Sequence, residues 1–152
     1  MSETPLFLLR AGHAGDHPFV VDSWVKSYQS YALSRDCEHC NNAGRIYRGN
    51  RFLRGHKRLI RDILARSGTA LLVACHPDDP EPILGWACSE NGVLHYVFVK
   101  KDVRRVGVAS ALLAPFGAGT VYTHRCNLTP PVDWVYDHHR AYFDFGDDHA
   151  AS

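Results

Sequence analysis

Apolar residues recur along this chain with two different periods, and the switches between them mark out its elements. Leu6–Arg10 (LFLLR) reads as a first strand, ended by Gly12 and Gly15. Asp16 or His17 can cap a helix that tolerates Pro18 in its first turn. Phe19, Val20, Trp24, Val25 and Tyr28 then return at helical spacing, which predicts a helix to about Leu33. Residues 34–50 are polar and irregular. A second helix is predicted over Arg51–Ser67, with Phe52, Leu59, Ile60, Ile63 and Leu64 as its buried stripe and Gly68 as its stop.

Three strand-like runs follow: Thr69–Cys75, Ile83–Cys88 and Val93–Val99. The turn His76–Pro82, dense in Pro and Asp, separates the first two, and Glu90-Asn91-Gly92 is a hairpin signal between the last two. Beyond a helical run that opens at Gly107, Pro115–Gly119 is a break and Val121–Arg125 a short strand. Strand–helix–strand crossovers are right-handed, so that strand is expected to lie parallel to Val93–Val99. Asp133–Phe145 reads as a last helix anchored by Trp134, Tyr142 and Phe145. The sum is one α/β domain over residues 1–152, with no internal repeat and no low-complexity segment.

The most informative stretch is VLHYVFVKKDVRRVGVASALL, residues 93–113. A β-branched, aromatic strand ends at Val99, a charged connector spans Lys100–Arg105, and small helix-compatible residues begin at Gly107. A strand that passes through a basic, glycine-containing turn into a helix aims unpaired backbone N–H groups at an anion, and the helix dipole adds to the attraction. Gly107 lets a phosphate approach the backbone closely, and Arg104 and Arg105 add positive charge.

Composition narrows the classes. At 152 residues, 45% hydrophobic and 22% charged, the chain is an ordinary globular domain. No apolar run approaches the roughly 20 residues of a membrane span. The N-terminus is too short and too polar for a signal peptide, and five cysteines do not suit a disulfide framework, so a reducing cytoplasm is expected. Cys37-Glu38-His39-Cys40 could supply half a zinc site, but no second pair follows, and no metal is expected. Cys75, Cys88 and Cys126 stand singly and read as small apolar residues.

Net charge is +1, unevenly spread: eight Lys or Arg against one acid over Arg45–Arg66, and five Asp against one Arg from Asp133 onward. The basic run is a solvated helix face, or less readily a nucleic-acid contact.

Arg104-Arg105-Val106-Gly107-Val108-Ala109 resembles motif A of the GNAT acetyltransferases, Q/R-x-x-G-x-G/A. The resemblance holds in one register from Val97 to Leu113, with Lys101 where many members carry proline. Gly85-Trp86-Ala87 also resembles a stretch common on the third strand of that family. It implies a mixed, mostly antiparallel sheet flanked by helices, in which a central parallel pair of strands splays apart. It further implies acetyl-CoA as cosubstrate, with the pantetheine arm on the backbone of Phe98 and Val99. The pyrophosphate would lie on Arg104, Arg105, Val106, Gly107, Val108 and Ala109. The implied reaction is acetyl transfer to an amine by direct attack on the thioester. The acceptor would be a small molecule or a protein, and homodimers are common in the family.

That reaction needs a donor to the developing oxyanion, a base and a proton for the departing thiolate. The Val99 N–H is the oxyanion candidate. Glu90, His95 or Asp102, or a water held by one of them, is the candidate base. His95 is the most interesting because its ordinary pKa suits proton transfer near neutrality, although a strand histidine is more often a satisfied core residue. Tyr142 or Tyr136 would be the thiolate acid. The family ending N-x-x-A-x-x-x-Y is not present in that form, and Ala141–Gly146 echoes it loosely. A GNAT-shaped binding, regulatory or phage-type assembly module without catalysis is therefore the alternative.

Overall fold

The computed structural model describes residues 5–33, 50–104, 106–126 and 128–142. Their core is one six-stranded sheet in the order β1-β2-β3-β4-β5-β6. Strands β1 (Leu8–Ala11), β2 (Thr69–His76), β3 (Asp79–Glu90) and β4 (Val93–Val99) form an antiparallel meander. β5 (Val121–Tyr122) then runs parallel to β4, and β6 (Val135–Tyr136) parallel to β5. The β3–β4 turn is built on Asn91 (φ 49°) and Gly92 (φ 85°), a pair of left-handed residues that matches the twist of a tight hairpin.

Helices α1 (His17–Leu33) and α2 (Asn50–Ala65) cover one face. Val20, Trp24, Val25 and Tyr28 of α1 meet Ile60 and Ile63 of α2 over Val73, Trp86 and Tyr96, all buried. The other face is covered by the short α3 (Val108–Leu113), whose Val108 and Leu112 pack on Ala74, Ala87, Leu94, Val97 and Val99. Gly85 lets the two layers close: a Cβ there would lie 2.7 Å from the Phe98 carbonyl oxygen and 3.1 Å from Val108.

The meander, both long helices and the parallel pairing agree with the pattern read from the sequence. Among the described residues 133–142, the C-terminal helix expected over Asp133–Phe145 does not form. Val135 N–H donates to Thr120 C=O (2.9 Å) and Asp137 N–H to Tyr122 C=O (2.9 Å), so this β-branched and aromatic pair adds a strand. Only a 3-10 turn, His138–Tyr142, follows, and residues 143–152 lie outside those described. The strand expected over Val121–Arg125 stops at Tyr122, because Thr123 and His124 turn inward into a polar network.

Candidate functional site

β4 and β5 part company almost at once. They share one rung, Leu94 with Tyr122, supported by Thr123 N–H donating to Leu94 C=O (3.0 Å). Cys88 pairs with Tyr96 but Ser89 with Leu94, so His95 is the extra residue of a β-bulge. A bulge bends its strand and breaks the ladder. From Tyr96 to Val99, no strand among the described residues pairs with β4 on its β5 side.

The direction of the peptides follows from the register. Lys100 N–H donates to Leu84 C=O (2.8 Å), so the even-numbered peptides of this stretch face β3. By alternation, the backbone groups of Val97 and Val99 face the gap. Phe98, expected to offer its backbone, turns its peptide to β3, and the residue borders the lower cavity described below.

Two adjoining cavities occupy the opening. The lower one, about 380 Å³, is bounded by Phe98, Val99, Arg104, Gly107, Ala109 and Ser110 among others. The upper one, about 280 Å³, reaches Leu94, Tyr122, His124, Arg125 and Trp134. Tyr96, Val97, Cys126 and Leu128 border both.

The basic turn closes the lower end. Gly107 has φ 91°, where an L side chain is strained, and a Cβ there would meet no atom within 4 Å. Glycine is thus required by the backbone conformation, and open space lies beside it. Ala111 N–H returns to Gly107 C=O (3.0 Å), so the amides of Val108, Ala109 and Ser110 precede the first helical bond. No side chain caps this end among the described residues. Val106 is exposed and is not part of the wall, and Arg105 lies outside the described residues. The fold is GNAT-like.

The expected catalytic residues are placed less simply. His95 and Glu90 are both fully buried, joined by His95 Nε2 to Glu90 Oε1 at 2.9 Å, and neither borders the cavities. Glu90 Oε1 also accepts from Arg66 Nη1 (3.0 Å), and Arg66 Nη2 reaches Asp62 (2.8 Å) and Ala141 C=O (2.9 Å). Burial pushes the His95 pKa below the ordinary histidine value, and the Glu90 carboxylate only partly restores it. Burial opposes the Arg66 charge, yet its bonds to Asp62 and Glu90 leave its pKa raised. Tyr142 is 60% exposed, packs on His138 and borders neither of these two cavities. Asp102 is also exposed, on the 3-10 turn Lys101–Val103.

Two side chains that sequence reasoning passed over stand at the site. Tyr96 borders both cavities, stacks on Trp24 (5.3 Å, 5°) and holds its hydroxyl 2.8 Å from Ser27 Oγ. His124 borders the upper cavity and continues the polar network inward. Nothing local in the sequence said that the face of the strand bearing Tyr96 would meet the gap. His124 lay in an expected strand, and its neighbours come from residues far away in sequence.

No family model matches the sequence, and no curated protein matches it. Among solved structures, the chain is similar to apo YjaB from Escherichia coli, with TM-score 0.49 and 17% identity over 74% of this chain and 67% of that one. It is also similar to the aminoglycoside N-acetyltransferase AAC(6')-Iy in complex with CoA, at 0.45 and 16% over 76% and 69%. A ribosomal-protein-alanine N-acetyltransferase from Brucella melitensis biovar Abortus 2308 is similar at 0.41 and 13% over 72% and 68%. At TM-scores below 0.5, none of them bears on the chemistry of this chain's side chains.

Proposed function

We propose that this chain binds acetyl-CoA in the gap between β4 and β5 and transfers the acetyl group to an amine. The observation that carries the reading is the gap itself. A parallel pair joined by one rung leaves the backbone of Val97 and Val99 facing a cavity, and an uncapped helix start and Arg104 stand at its base. An amide-bearing arm can satisfy open strand groups as an added strand would, and the turn amides suit a diphosphate.

The cosubstrate supplies the activated acetyl group. The chain's own part is to orient it, to offer the Val99 N–H to the developing oxyanion and to move protons. For the departing sulfur, Tyr96 is better placed than Tyr142, because Tyr96 borders both cavities and Tyr142 borders neither. Ser27 spends its own proton on Ser23 C=O (2.6 Å) and therefore accepts from Tyr96.

Calorimetry with acetyl-CoA tests the reading. Binding by the parent protein, and its loss in Gly107→Glu, are expected. A parent protein that takes up no acetyl-CoA refutes it.

The second reading, a binding module without catalysis, draws on the burial of Glu90 and His95 away from the cavities. Acetyl-CoA binding without CoA release over a panel of amines would favour it.

A further inference from the structure

Transfer of an acetyl group leaves the upper cavity without a use. It measures about 280 Å³ and adjoins the lower one along Tyr96, Val97, Cys126 and Leu128. Leu94, Val97, Leu113, Tyr122 and Trp134 make its apolar wall, and all five belong to the core layer on the α3 side of the sheet. Leu94 and Val97 are buried, and the other three are half-buried. The far wall is braced from behind: Phe116 meets Trp134 edge-on at 6.3 Å, and Tyr136 lies 5.4 Å from Tyr122.

Its polar neighbours do not call for a charged guest. Among the described residues that border this cavity, none is acidic. Arg125 sets its guanidinium over the Tyr136 ring, 4.2 Å from the centroid, and Tyr136 does not border the cavity. Burial, the leading cause, pushes the His124 pKa well below the ordinary histidine value, in keeping with a neutral ring. A charge placed in such a chamber would be desolvated without a partner, whereas an apolar group would gain by leaving water.

We propose that the upper cavity is an acyl pocket, and that the preferred donor is a coenzyme A thioester of an uncharged acyl group of about four to eight carbons. This deepens the function proposed above and rests on its placement of the cosubstrate. An arm anchored at the basic turn runs back along β4 past Val99 and then Val97, about 7 Å further on. Wherever the thioester carbonyl is held along those two residues, the acyl group beyond it continues toward Leu94 and the upper cavity. Size sets the chain length. Water takes about 30 Å³ in the liquid, so the cavity has room for roughly nine non-hydrogen atoms of that bulk, and an acetyl methyl fills about one. The transfer keeps its balance with any such donor. The amine nitrogen bonds the thioester carbon, the carbon–sulfur bond breaks, and the proton shed by the amine ends on the sulfur.

Calorimetry of the full-length protein with free CoA and with its acetyl, hexanoyl, octanoyl and succinyl thioesters reads the pocket. A buried methylene contributes about fourfold in affinity, so hexanoyl-CoA should bind at least tenfold more tightly than acetyl-CoA. Leu113→Trp narrows the chamber from α3, and the ratio of hexanoyl-CoA to free CoA affinity should fall about tenfold. Trp134→Ala deepens it, and the preference should move from hexanoyl-CoA to octanoyl-CoA. Free CoA that binds while hexanoyl-CoA is held no more tightly than acetyl-CoA overturns the pocket and leaves the CoA site standing. Ratios unmoved in both variants overturn it as well. Succinyl-CoA bound more tightly than hexanoyl-CoA overturns the uncharged occupant. A protein that takes up neither free CoA nor any thioester removes the pocket and the function proposed above together.

Discussion

Acidification should unfold this protein earlier than its carboxylates alone would dictate, and His56 allows the effect to be worked out. Burial, with a smaller contribution from the charge of His138, pushes its pKa down to about 4 from the ordinary histidine value of 6.5. Because the folded pKa lies below the unfolded one, the unfolded chain binds more protons between those two values. Stability therefore rises with pH across that window and is lost as pH falls through it. At about 1.36 kcal/mol per pKa unit, going from pH 7 to pH 4.5 removes about 2.5 kcal/mol through this ring. For a domain of this size that corresponds to roughly 5–10 °C in Tm. His124 and His95 are displaced in the same direction and add to the loss. Calorimetric melts from pH 4.5 to 8 give the slope, and His56→Phe, which keeps a ring against Trp24 and Tyr28, should flatten it by the His56 share. A Tm independent of pH over that range would refute the reasoning. So would an identical slope in the variant.

Three further outcomes follow from the packing and the cavity walls. Gly85→Ala places a methyl 2.7 Å from the Phe98 carbonyl oxygen, which is backbone and cannot step aside, so about 1–3 kcal/mol of stability should be lost in urea titration. Tyr96→Phe keeps the stack on Trp24 and loses the hydroxyl; acetyl-CoA should bind normally while kcat falls by about 100-fold, and an unaltered kcat would return the thiolate proton to another group. Asp16 takes both Arg10 guanidinium nitrogens (2.8 and 2.9 Å) and the His13 N–H, bonds that hold its carboxyl below the usual range against burial. Asp16→Ala should therefore cost about 1.5–3 kcal/mol in chemical denaturation and loosen the start of α1.

The elements that hairpin and helix periodicity could define were legible. Trp24, Ile60 and Ile63 were read as core from spacing and are fully buried. Asn91-Gly92 announced a turn that only left-handed residues satisfy. The basic glycine turn was legible because its chemistry is local, being a few consecutive amides and a missing Cβ. The C-terminal strand was not, since Val135 and Tyr136 become a strand only by finding β5, and two residues carry no period. His95 and Glu90 could be read as a strand histidine and a hairpin acid, but their union with Arg66, Thr123 and His124 is a long-range event. Helical spacing in α2 could not show that Arg66, just past its end, would be turned into the core.

The lone rung at Leu94 and Tyr122 ties the wall of the opening to the buried polar line, because the next residue, Thr123, bonds His95 with its side chain and Leu94 with its backbone. A ligand that displaces β5 is therefore expected to perturb the His95 ring, and the His95 ring resonances with and without acetyl-CoA would test it.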